Sequence, residues 1–262
     1  MHTELLQFRF LIIRMTIRDI ALRYRGSILG VIWSFILPLL TVAIYTFLFS
    51  YVFKARWSEQ GDGLSSYPLI LFTGLILHSF LSEVLTRSCT VIRVQSNLVK
   101  KVVFPLHVLP AVLVLSGSFQ MIVSFCVLFA FQVMMFGHLS AGVLVVPLLF
   151  ICLVFMGLGA AWFLAALGVY LQDLAQVIGL ISTALMFSAP ILYPINALPE
   201  FVRPWLYLNP LTFLVEQLRN VLLFGGVIDW LGLFIYAVAA VFVVIFGWWV
   251  FDRTKKGFAD VL

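Results

Sequence analysis

The sequence predicts an all-α integral membrane protein with six transmembrane helices, and its composition is the first reason. Of its 262 residues, 63% are hydrophobic and only 10% are charged, whereas a soluble domain is about 45–50% apolar and about 25% charged. A soluble fold keeps a large share of its residues in water and could not bury this much apolar surface. The composition therefore excludes a soluble enzyme, a disordered chain and a nucleic-acid-binding domain.

The second reason is the spacing of the apolar segments. A transmembrane helix needs about 20 apolar residues, and six segments meet that need: 28–53, 68–85, 106–136, 143–171, 177–195 and 231–251. The third and fourth are long, so we expect tilt, kinks or ends that reach water. The predicted organisation is an N-terminal interfacial segment, a six-span membrane domain and a cytoplasmic tail, at residues 1–27, 28–251 and 252–262.

The distribution of lysine and arginine predicts the orientation of these spans, because cytoplasmic loops carry an excess of both residues. With an even number of spans, the two termini and the loops after the second and fourth spans share one side of the membrane. That side carries twelve of the 16 basic residues, and the other side carries only Lys54, Arg56, Arg203 and Arg219. We therefore predict a multi-pass protein with both termini in the cytoplasm.

The segment 4–25 is apolar but interrupted by arginines, which predicts an amphipathic helix at the cytoplasmic surface of the membrane. Its arginines fall on two opposite helical stripes, so their long side chains can reach lipid head groups on both flanks. One interpretation is a simple lipid anchor. The alternative is that Arg23 and Arg25, just before the first span, receive an anionic lipid head group, because a planar guanidinium bonds two phosphate oxygens.

Residues 86–104, between the second and third spans, predict a short amphipathic helix that Pro105 prevents from continuing. Helical spacing separates an apolar face from a polar face: Val91, Val94, Leu98 and Val102 against Arg93, Asn97 and Lys100. Spacing alone favours an interfacial helix that touches only lipid. The alternative role is a docking element for a soluble partner.

Residues 196–230, between the fifth and sixth spans, lie outside by the charge argument but are rich in apolar and aromatic side chains. Three prolines interrupt the segment, which predicts two short helices that re-enter the outer leaflet and separate near Asn209. Such backbone is tolerated at membrane depth where protein or a water-filled cavity surrounds it. Glu216 and Arg219 are three residues apart and can pair on one helix face. The segment is either interfacial packing or an outer gate.

Motifs for catalysis, nucleotide binding and metal binding are missing from the sequence. The chain contains no G-x-x-x-x-G-K-[ST] phosphate loop, its four histidines are scattered, and its three cysteines form no C-x-x-C pair. Hardly any ionisable residues lie within the spans, where proton- or ion-coupled pumps usually keep them. We therefore predict no catalytic residue, no metal site and no cofactor bound by this chain, and we expect the energy for transport to come from another chain.

A series of short motifs lies between residues 17 and 219. They include Arg23-Tyr24-Arg25-Gly26-Ser27, Trp33-Ser34-Phe35, Asn97-Leu98-Val99-Lys100-Lys101, Ser188-Ala189-Pro190-Ile191-Leu192-Tyr193-Pro194 and Asn209-Pro210-Leu211. In order and in loop lengths, these motifs resemble those of ABC-2 type permeases that export bacterial surface polysaccharides, and most of all the membrane subunit of O-antigen exporters. One departure is Gln172-Asp173, where the family commonly has Arg-Asp.

The resemblance implies half of an ATP-driven exporter in the bacterial inner membrane. In such proteins two permease chains pair with two soluble ATPase subunits, which bind the ATP and Mg. The cargo is a polysaccharide on a polyprenyl-pyrophosphate carrier, moved from cytoplasm to periplasm. The chain itself would not be an enzyme. Capsule and teichoic acid exporters share these motifs, and the remaining alternatives are an ABC-2 exporter of a drug or small lipid and, less favoured, a membrane-embedded transferase.

The resemblance also implies roles for particular residues. The loop 86–104 corresponds to the family's coupling helix, which reverses the preference for a lipid-only role and gives an ATPase-contact set of Arg93, Asn97, Lys100, Lys101 and Phe104. The segment 196–230 corresponds to gating helices at the periplasmic mouth, with Tyr207, Asn209, Phe213, Glu216 and Arg219. We expect most aromatic residues to form interface belts. A minority would line the conduit, because flat ring faces suit sliding sugar rings: Trp33, Tyr45, Phe49, Phe72, Phe187 and Tyr193.

Overall fold

A computed structural model describes residues 8–52, 66–101, 104–138 and 140–261, and within these ranges all regular structure is helical. The helices are α1 (Arg9–Arg23), α2 (Trp33–Thr46), α3 (Ser66–Ser88), α4 (Val91–Val94), α5 (Ser96–Lys101), α6 (Val108–Phe136), α7 (Val146–Tyr170), α8 (Leu174–Ser188), α9 (Arg203–Leu206), α10 (Pro210–Leu222), α11 (Trp230–Thr254) and α12 (Phe258–Val261). Single 3₁₀ turns lie at Gly30–Ile32, Ala141–Val145, Ile195–Ala197 and Lys255–Gly257.

Five helical stretches in the described part of the chain are long and apolar enough to cross a membrane. They are Gly30–Phe49, Tyr67–Ser88, Val108–Phe136, Gly142–Tyr170 and Trp230–Gly257. The all-α prediction is therefore confirmed for the described residues, and five of the six predicted segments form helices that are candidates for membrane spans. The predicted fifth segment forms α8, whose 15 residues extend roughly 22 Å at 1.5 Å per residue, which is short of the roughly 30 Å hydrocarbon core.

Helix α8 ends where it does because of the Ala189–Pro190 sequence. A residue before proline is driven out of the helical region, and Ala189 is extended at φ −88° and ψ 149°. The first span differs from its predicted form too, because its last turns, Phe47–Val52, have π-helical hydrogen bonding. At its start, Gly26 and Gly30 have φ of +85° and +52°, a backbone that turns α1 into α2 and that glycine adopts without strain.

Helix α3 lies at the centre of the bundle, where it contacts α2, α6, α7, α8 and α10. Helices α7 and α11 form a second tight pair. A Cβ atom on Gly159 would lie 2.5 Å from the Val243 backbone, and one on Gly247 would overlap the Gly159 carbonyl. Small residues at such a crossing let two membrane helices approach closely.

Helix α8 and the chain beside it run antiparallel to α3 along its whole length. At one end the Arg93 guanidinium donates to the Gln172 carbonyl at 3.1 Å, and at the other the Tyr67 hydroxyl donates to the Leu192 carbonyl at 3.1 Å. Between them, the Ser182 hydroxyl donates to that of Ser82 at 2.6 Å. We refer to the two ends of the bundle as the Arg87 end and the Tyr67 end of α3.

The residues predicted as the C-terminal tail, 252–262, continue α11 and pack against the bundle as far as the structure describes them. Helix α11 continues to Thr254, and α12 places the Phe258 ring, fully buried, 5.6 Å from the Phe251 ring and 6.1 Å from the Tyr170 ring. Helix α12 contacts both α5 and α7. The end of the chain thus supports the segment that follows α3.

Candidate functional site

Two arginines and two carboxylates from α1 and α3 form a closed set of ion pairs at the Arg87 end. Arg23 contacts Glu83 through Nη2 and Oε1. Arg87 donates from Nη1 to the same Glu83 oxygen at 2.9 Å, and from Nη2 to both Asp19 oxygens at 3.1 Å. Arg23 Nε lies 3.9 Å from Asp19 Oδ2. We call these four residues the charge ring.

The charge ring follows from two local spacings brought together by packing. Asp19 and Arg23 are four apart on α1, and Glu83 and Arg87 are four apart on α3, the spacing that places side chains on one helix face. Burial alone would raise the pKa of Asp19, but the adjacent Ser116 hydroxyl and the Arg87 and Arg23 guanidiniums favour the carboxylate by more. The pKa of Asp19 is therefore lowered below its ordinary value.

The two arginines predicted to form a lipid entrance occupy different environments. Arg23 belongs to the charge ring, whereas Arg25 is exposed in the turn after α1. Between them, the Tyr24 hydroxyl donates to Gln120 Oε1 at 3.1 Å, and the Gln120 amide donates to the Ser34 carbonyl at 2.9 Å. This chain of bonds joins α1 to α6 and to the start of α2. The entrance role stays a prediction.

The segment predicted as one amphipathic helix over 86–104 is divided into shorter pieces. Helix α3 continues to Ser88, and α4 and α5 are separated at Gln95, whose ψ of 32° leaves the helical region. The predicted apolar face is therefore not continuous, since Val91 is 9% exposed and Val94 is 78% exposed. The two short helices therefore meet at a bend, and Val94 points outward there.

The predicted ATPase-contact residues are spread along this bent segment. Arg93 bonds the Gln172 carbonyl, and Asn97 is exposed. Phe104 is half-buried against the small cluster of Ile12, Val108 and Val112 beneath α1. Lys100 and Lys101 lie in the last turn of α5, and their side chains are outside the described part of the structure.

Two of the predicted conduit aromatics, Tyr45 and Phe49, form stacked rings near the Tyr67 end. The rings of Tyr45 and Phe49 have centroids 6.0 Å apart, and Phe49 stacks on Tyr67 at 5.5 Å. Tyr67 was not among the residues predicted from the sequence. Trp33 is half-buried at the start of α2.

The other predicted conduit aromatics differ strongly in exposure. Phe187 is 56% exposed on α8, and the Tyr193 hydroxyl donates to its carbonyl at 2.8 Å. Phe72 is only 3% exposed and lies in the main core cluster. In this conformation Phe72 contacts neighbouring helices rather than a surface that a cargo could reach.

Asn209 joins the last turn of α8 to the first turn of α10. Its Oδ1 accepts from the Leu211 N–H at 2.9 Å, which is the usual role of an asparagine before a helix. Its Nδ2 donates to the Leu185 carbonyl and the Ser188 hydroxyl, both at 2.8 Å. Asn209 therefore fixes the angle between the two helices at the Tyr67 end.

Arg219 is 3% exposed and inserts between α3 and the irregular chain after α8. Nε donates to the Ile70 carbonyl at 2.9 Å, Nη2 donates to the Ile191 carbonyl at 2.8 Å, and Nη1 donates to the Pro190 carbonyl. Carbonyls freed by a broken helix need such donors, because an unsatisfied polar group in an apolar environment is costly. We call this arrangement the Arg219 cluster.

Glu216 and Tyr207 form a second polar contact at the same end. The Tyr207 hydroxyl donates to Glu216 Oε2 at 2.6 Å, and burial together with this carboxylate raises the pKa of Tyr207 to about 12. A cavity of about 180 Å³ lies beside them, lined by Pro190, Pro194, Ile195, Asn196, Glu216, Arg219 and Phe224. Phe213 stacks on Tyr236 of α11 at 6.0 Å.

These observations define a helical protein of several membrane spans, with charged groups concentrated at one end and a polar, partly irregular helix pair at the other. The chain belongs to the ABC-2 type transporter family, whose sequence profile matches residues 11–223. As an ABC-2 permease it is a multi-pass membrane protein and the transport subunit of an ABC transporter, a class in which such subunits work with ATP-binding subunits.

The chain is also similar to several O-antigen export permeases. The chain is 28% identical over 221 residues to the O-antigen export system permease protein RfbA of Myxococcus xanthus, covering 83% of this chain and 82% of the relative. It is 26% and 27% identical, over 253 and 254 residues, to two proteins of the same name from Klebsiella pneumoniae. Each of these alignments covers 96% of this chain and 95% of the relative.

Proposed function

We propose that this chain is the permease subunit of an exporter that moves polyprenyl-pyrophosphate-linked O-antigen from the cytoplasm to the periplasm. The observation that carries the proposal is the similarity to O-antigen export permeases over nearly the whole chain. The cargo places a charged pyrophosphate at one membrane surface and a polar glycan within the membrane. The need for a charged site agrees with the charged groups at the Arg87 end.

The exporter uses six membrane crossings, and α8 with the chain after it supplies the fifth. Support comes from the contacts of Arg93 with Gln172 and of Tyr67 with Leu192, because the segment between them covers the length of α3. An even number of crossings puts both termini on the side rich in basic residues, the cytoplasm. The membrane is then the bacterial inner membrane.

Two copies of the chain assemble with two ATP-binding subunits, which dock on α4 and α5. The outward Val94 and the exposed Asn97 offer an apolar and a polar contact there. Arg93, Lys100, Lys101 and Phe104 complete the docking segment. Because α3 leads directly into α4, a movement of the docked subunit is transmitted to the central helix of the bundle.

The glycan passes between the membrane helices of the two copies, and α9 and α10 close the periplasmic mouth. Trp33, Tyr45, Phe49, Phe187 and Tyr193 supply aromatic contact, and Tyr207, Asn209, Phe213, Glu216 and Arg219 belong to the gate. The stacked Tyr45, Phe49 and Tyr67 rings near this mouth support the aromatic part. Arg23 and Arg25 lie at the entrance on the opposite side.

Deletion of the gene tests the proposal. Surface O-antigen should disappear and lipid-linked O-antigen should accumulate at the inner face of the inner membrane, as measured by immunoblot and by glycan analysis of spheroplasts. A plasmid copy should restore the surface glycan. Normal surface O-antigen in the deletion strain, together with new sensitivity to a drug, would instead support a small-molecule exporter.

A further inference from the structure

The charge ring contains a geometric feature that ordinary ion pairs lack. Arg23 Nη2 and Arg87 Nη1 both point to one atom, Oε1 of Glu83. Two guanidiniums from different helices thus converge on a single oxygen. Arginines hold phosphate oxygens through the same charge-assisted N–H···O bonds that they make to a carboxylate.

The charge ring is only partly buried, so a ligand can approach it from water. The Arg23 and Glu83 side chains are 22% and 24% exposed, and that of Arg87 is 37% exposed, so Glu83 has a path to water. Arg23 Nε is buried and makes no hydrogen bond within the described residues. A ligand with three or more oxygens could accept from both converging guanidiniums at once.

We propose that Arg23 and Arg87 form a binding site for the pyrophosphate group of a membrane lipid, and that Glu83 occupies this site when the lipid is absent. Arg87 and Glu83 are new in this role, and the identity of the lipid as the glycan carrier rests on the proposed function. A phosphoryl group carries about −1.5 to −2 charge and three acceptor oxygens. It therefore competes well with the single charge of Glu83.

Displacement of Glu83 would be felt in the segment after α3. Glu83 and Arg87 lie in the last two turns of α3, and α4 begins at Val91. In the ring, Arg23 and Asp19 tie α1 to that end of α3. Exchange of the carboxylate for a pyrophosphate keeps both arginines occupied but removes the Arg23–Glu83 link between the two helices. Lipid binding is thereby connected to the segment that we propose for ATPase docking.

Removal of the competing charge gives the decisive experiment. Full-length protein in phosphatidylcholine nanodiscs is titrated with fluorescent polyprenyl pyrophosphate, and the dissociation constant is measured by anisotropy. Glu83→Gln should bind about tenfold more tightly than wild type, because the amide no longer competes for the arginines. Arg87→Gln should bind at least tenfold more weakly. Arg14→Gln, an exposed arginine on α1 away from the ring, is the matched control and should differ less than twofold.

Competition experiments identify the ligand, and a conservative variant replaces Arg87→Gln if that variant misfolds. Phosphatidylglycerol at the same mole fraction should not displace the probe, and inorganic pyrophosphate should do so only at far higher concentration. Displacement by phosphatidylglycerol at equal mole fraction would overturn the pyrophosphate assignment. If Arg87→Gln cannot be purified, Arg87→Lys is used. It keeps the charge but lacks the planar guanidinium with its paired donors, and it should bind the probe more weakly than wild type. Unchanged or weaker binding by Glu83→Gln would overturn the proposal.

The outcome is separable from that of the proposed function. If deletion abolishes surface O-antigen but Glu83→Gln gains no affinity, the export role stands and this site is wrong. If Glu83→Gln gains affinity while deletion leaves surface O-antigen intact, the site stands and the assigned cargo is wrong.

Discussion

At the scale of single residues, Arg219 shows how a charge can be necessary inside an apolar bundle. Its position was readable in part, because Val215 and Leu222 lie four residues before and three residues after it on the buried face of α10. The predicted partner was Glu216 on the same helix. The structure adds the backbone carbonyls of Ile70, Pro190 and Ile191, which sequence spacing cannot reveal because they belong to distant segments.

Replacement of Arg219 should destabilise the protein strongly. Arg219→Ala leaves the Pro190 and Ile191 carbonyls without their charged donor, and hydrogen bonds to charged groups contribute roughly 1.5–3 kcal/mol each. We expect a loss on the order of 3 kcal/mol, measured as a lower midpoint of thermal unfolding in detergent. Arg219→Lys should recover only part of this, because one ammonium cannot reach carbonyls on two elements. The control is Arg203→Ala, because Arg203 also donates to a backbone carbonyl but is more exposed. An equal loss of stability in both variants would contradict the expectation.

Asp19 gives a pH dependence whose sign follows from its lowered pKa. A carboxylate with a folded pKa below its ordinary 3.8 contributes stability that is complete above that value and is lost as pH falls through the folded pKa. The contact between α1 and α3 should therefore be constant from about pH 8 to about pH 5 and weaken only in stronger acid. In Asp19→Asn the contribution is already absent at neutral pH.

Spin labels at the exposed Leu22 of α1 and Ser79 of α3 would report the distance between these two helices by pulsed electron paramagnetic resonance. Asp252→Asn, which removes the surface pair with Lys255, should leave the α1–α3 distance and its pH dependence as in wild type. A distance that increases already near pH 6 would be incompatible with a lowered Asp19 pKa.

At the scale of the elements, apolar length was sufficient to predict α3, α6, α7 and α11, because a bilayer accepts few other structures for such segments. It was not sufficient where one residue changes the backbone. Ala189 before Pro190 ends α8 early, and Gln95 divides the segment after α3. The charge ring could be predicted only in part from the sequence. Each pair spaced by four residues is local, but the contact of α1 with α3 depends on tertiary packing.

The segment α4–α5 should be sensitive to charge reversal if it docks an ATP-binding subunit. In the double variant Lys100→Glu and Lys101→Glu, we expect export to fall at least tenfold while membrane insertion and ATP hydrolysis continue, because the two chains no longer move together. Surface glycan and membrane-inserted protein are measured in the same cells. Arg14→Glu with Arg18→Glu reverses two exposed arginines of α1 and serves as the control. Wild-type export by the first variant would remove these two lysines from the docking surface.

At the scale of the whole molecule, the number of crossings decides the topology, and α8 is the segment in question. Six crossings place residues 9 and 252 on one side and residues 200 and 227 on the other. If α8 does not cross, residues 9, 200 and 227 share a side and residue 252 lies opposite. Single cysteines at these four exposed positions distinguish the two arrangements.

The labelling experiment uses a membrane-impermeant maleimide and a background with Cys126→Ser, because Cys126 is exposed whereas Cys89 and Cys152 are buried. In intact spheroplasts we expect Glu200→Cys and Val227→Cys to react. Arg9→Cys and Asp252→Cys should react only after the membrane is opened. Reaction of Asp252→Cys alone in intact spheroplasts would establish five crossings.

The buried position of Phe258 affects the design of C-terminal fusions of this protein. A purification tag or fluorescent protein joined directly after α12 would strain the packing of the Phe258 ring against Phe251 and Tyr170. Since α12 also contacts α5, such a fusion would disturb the neighbourhood of the docking segment and could be mistaken for a defective pump. A spacer of several glycine and serine residues, or a handle at the opposite terminus, avoids that artefact.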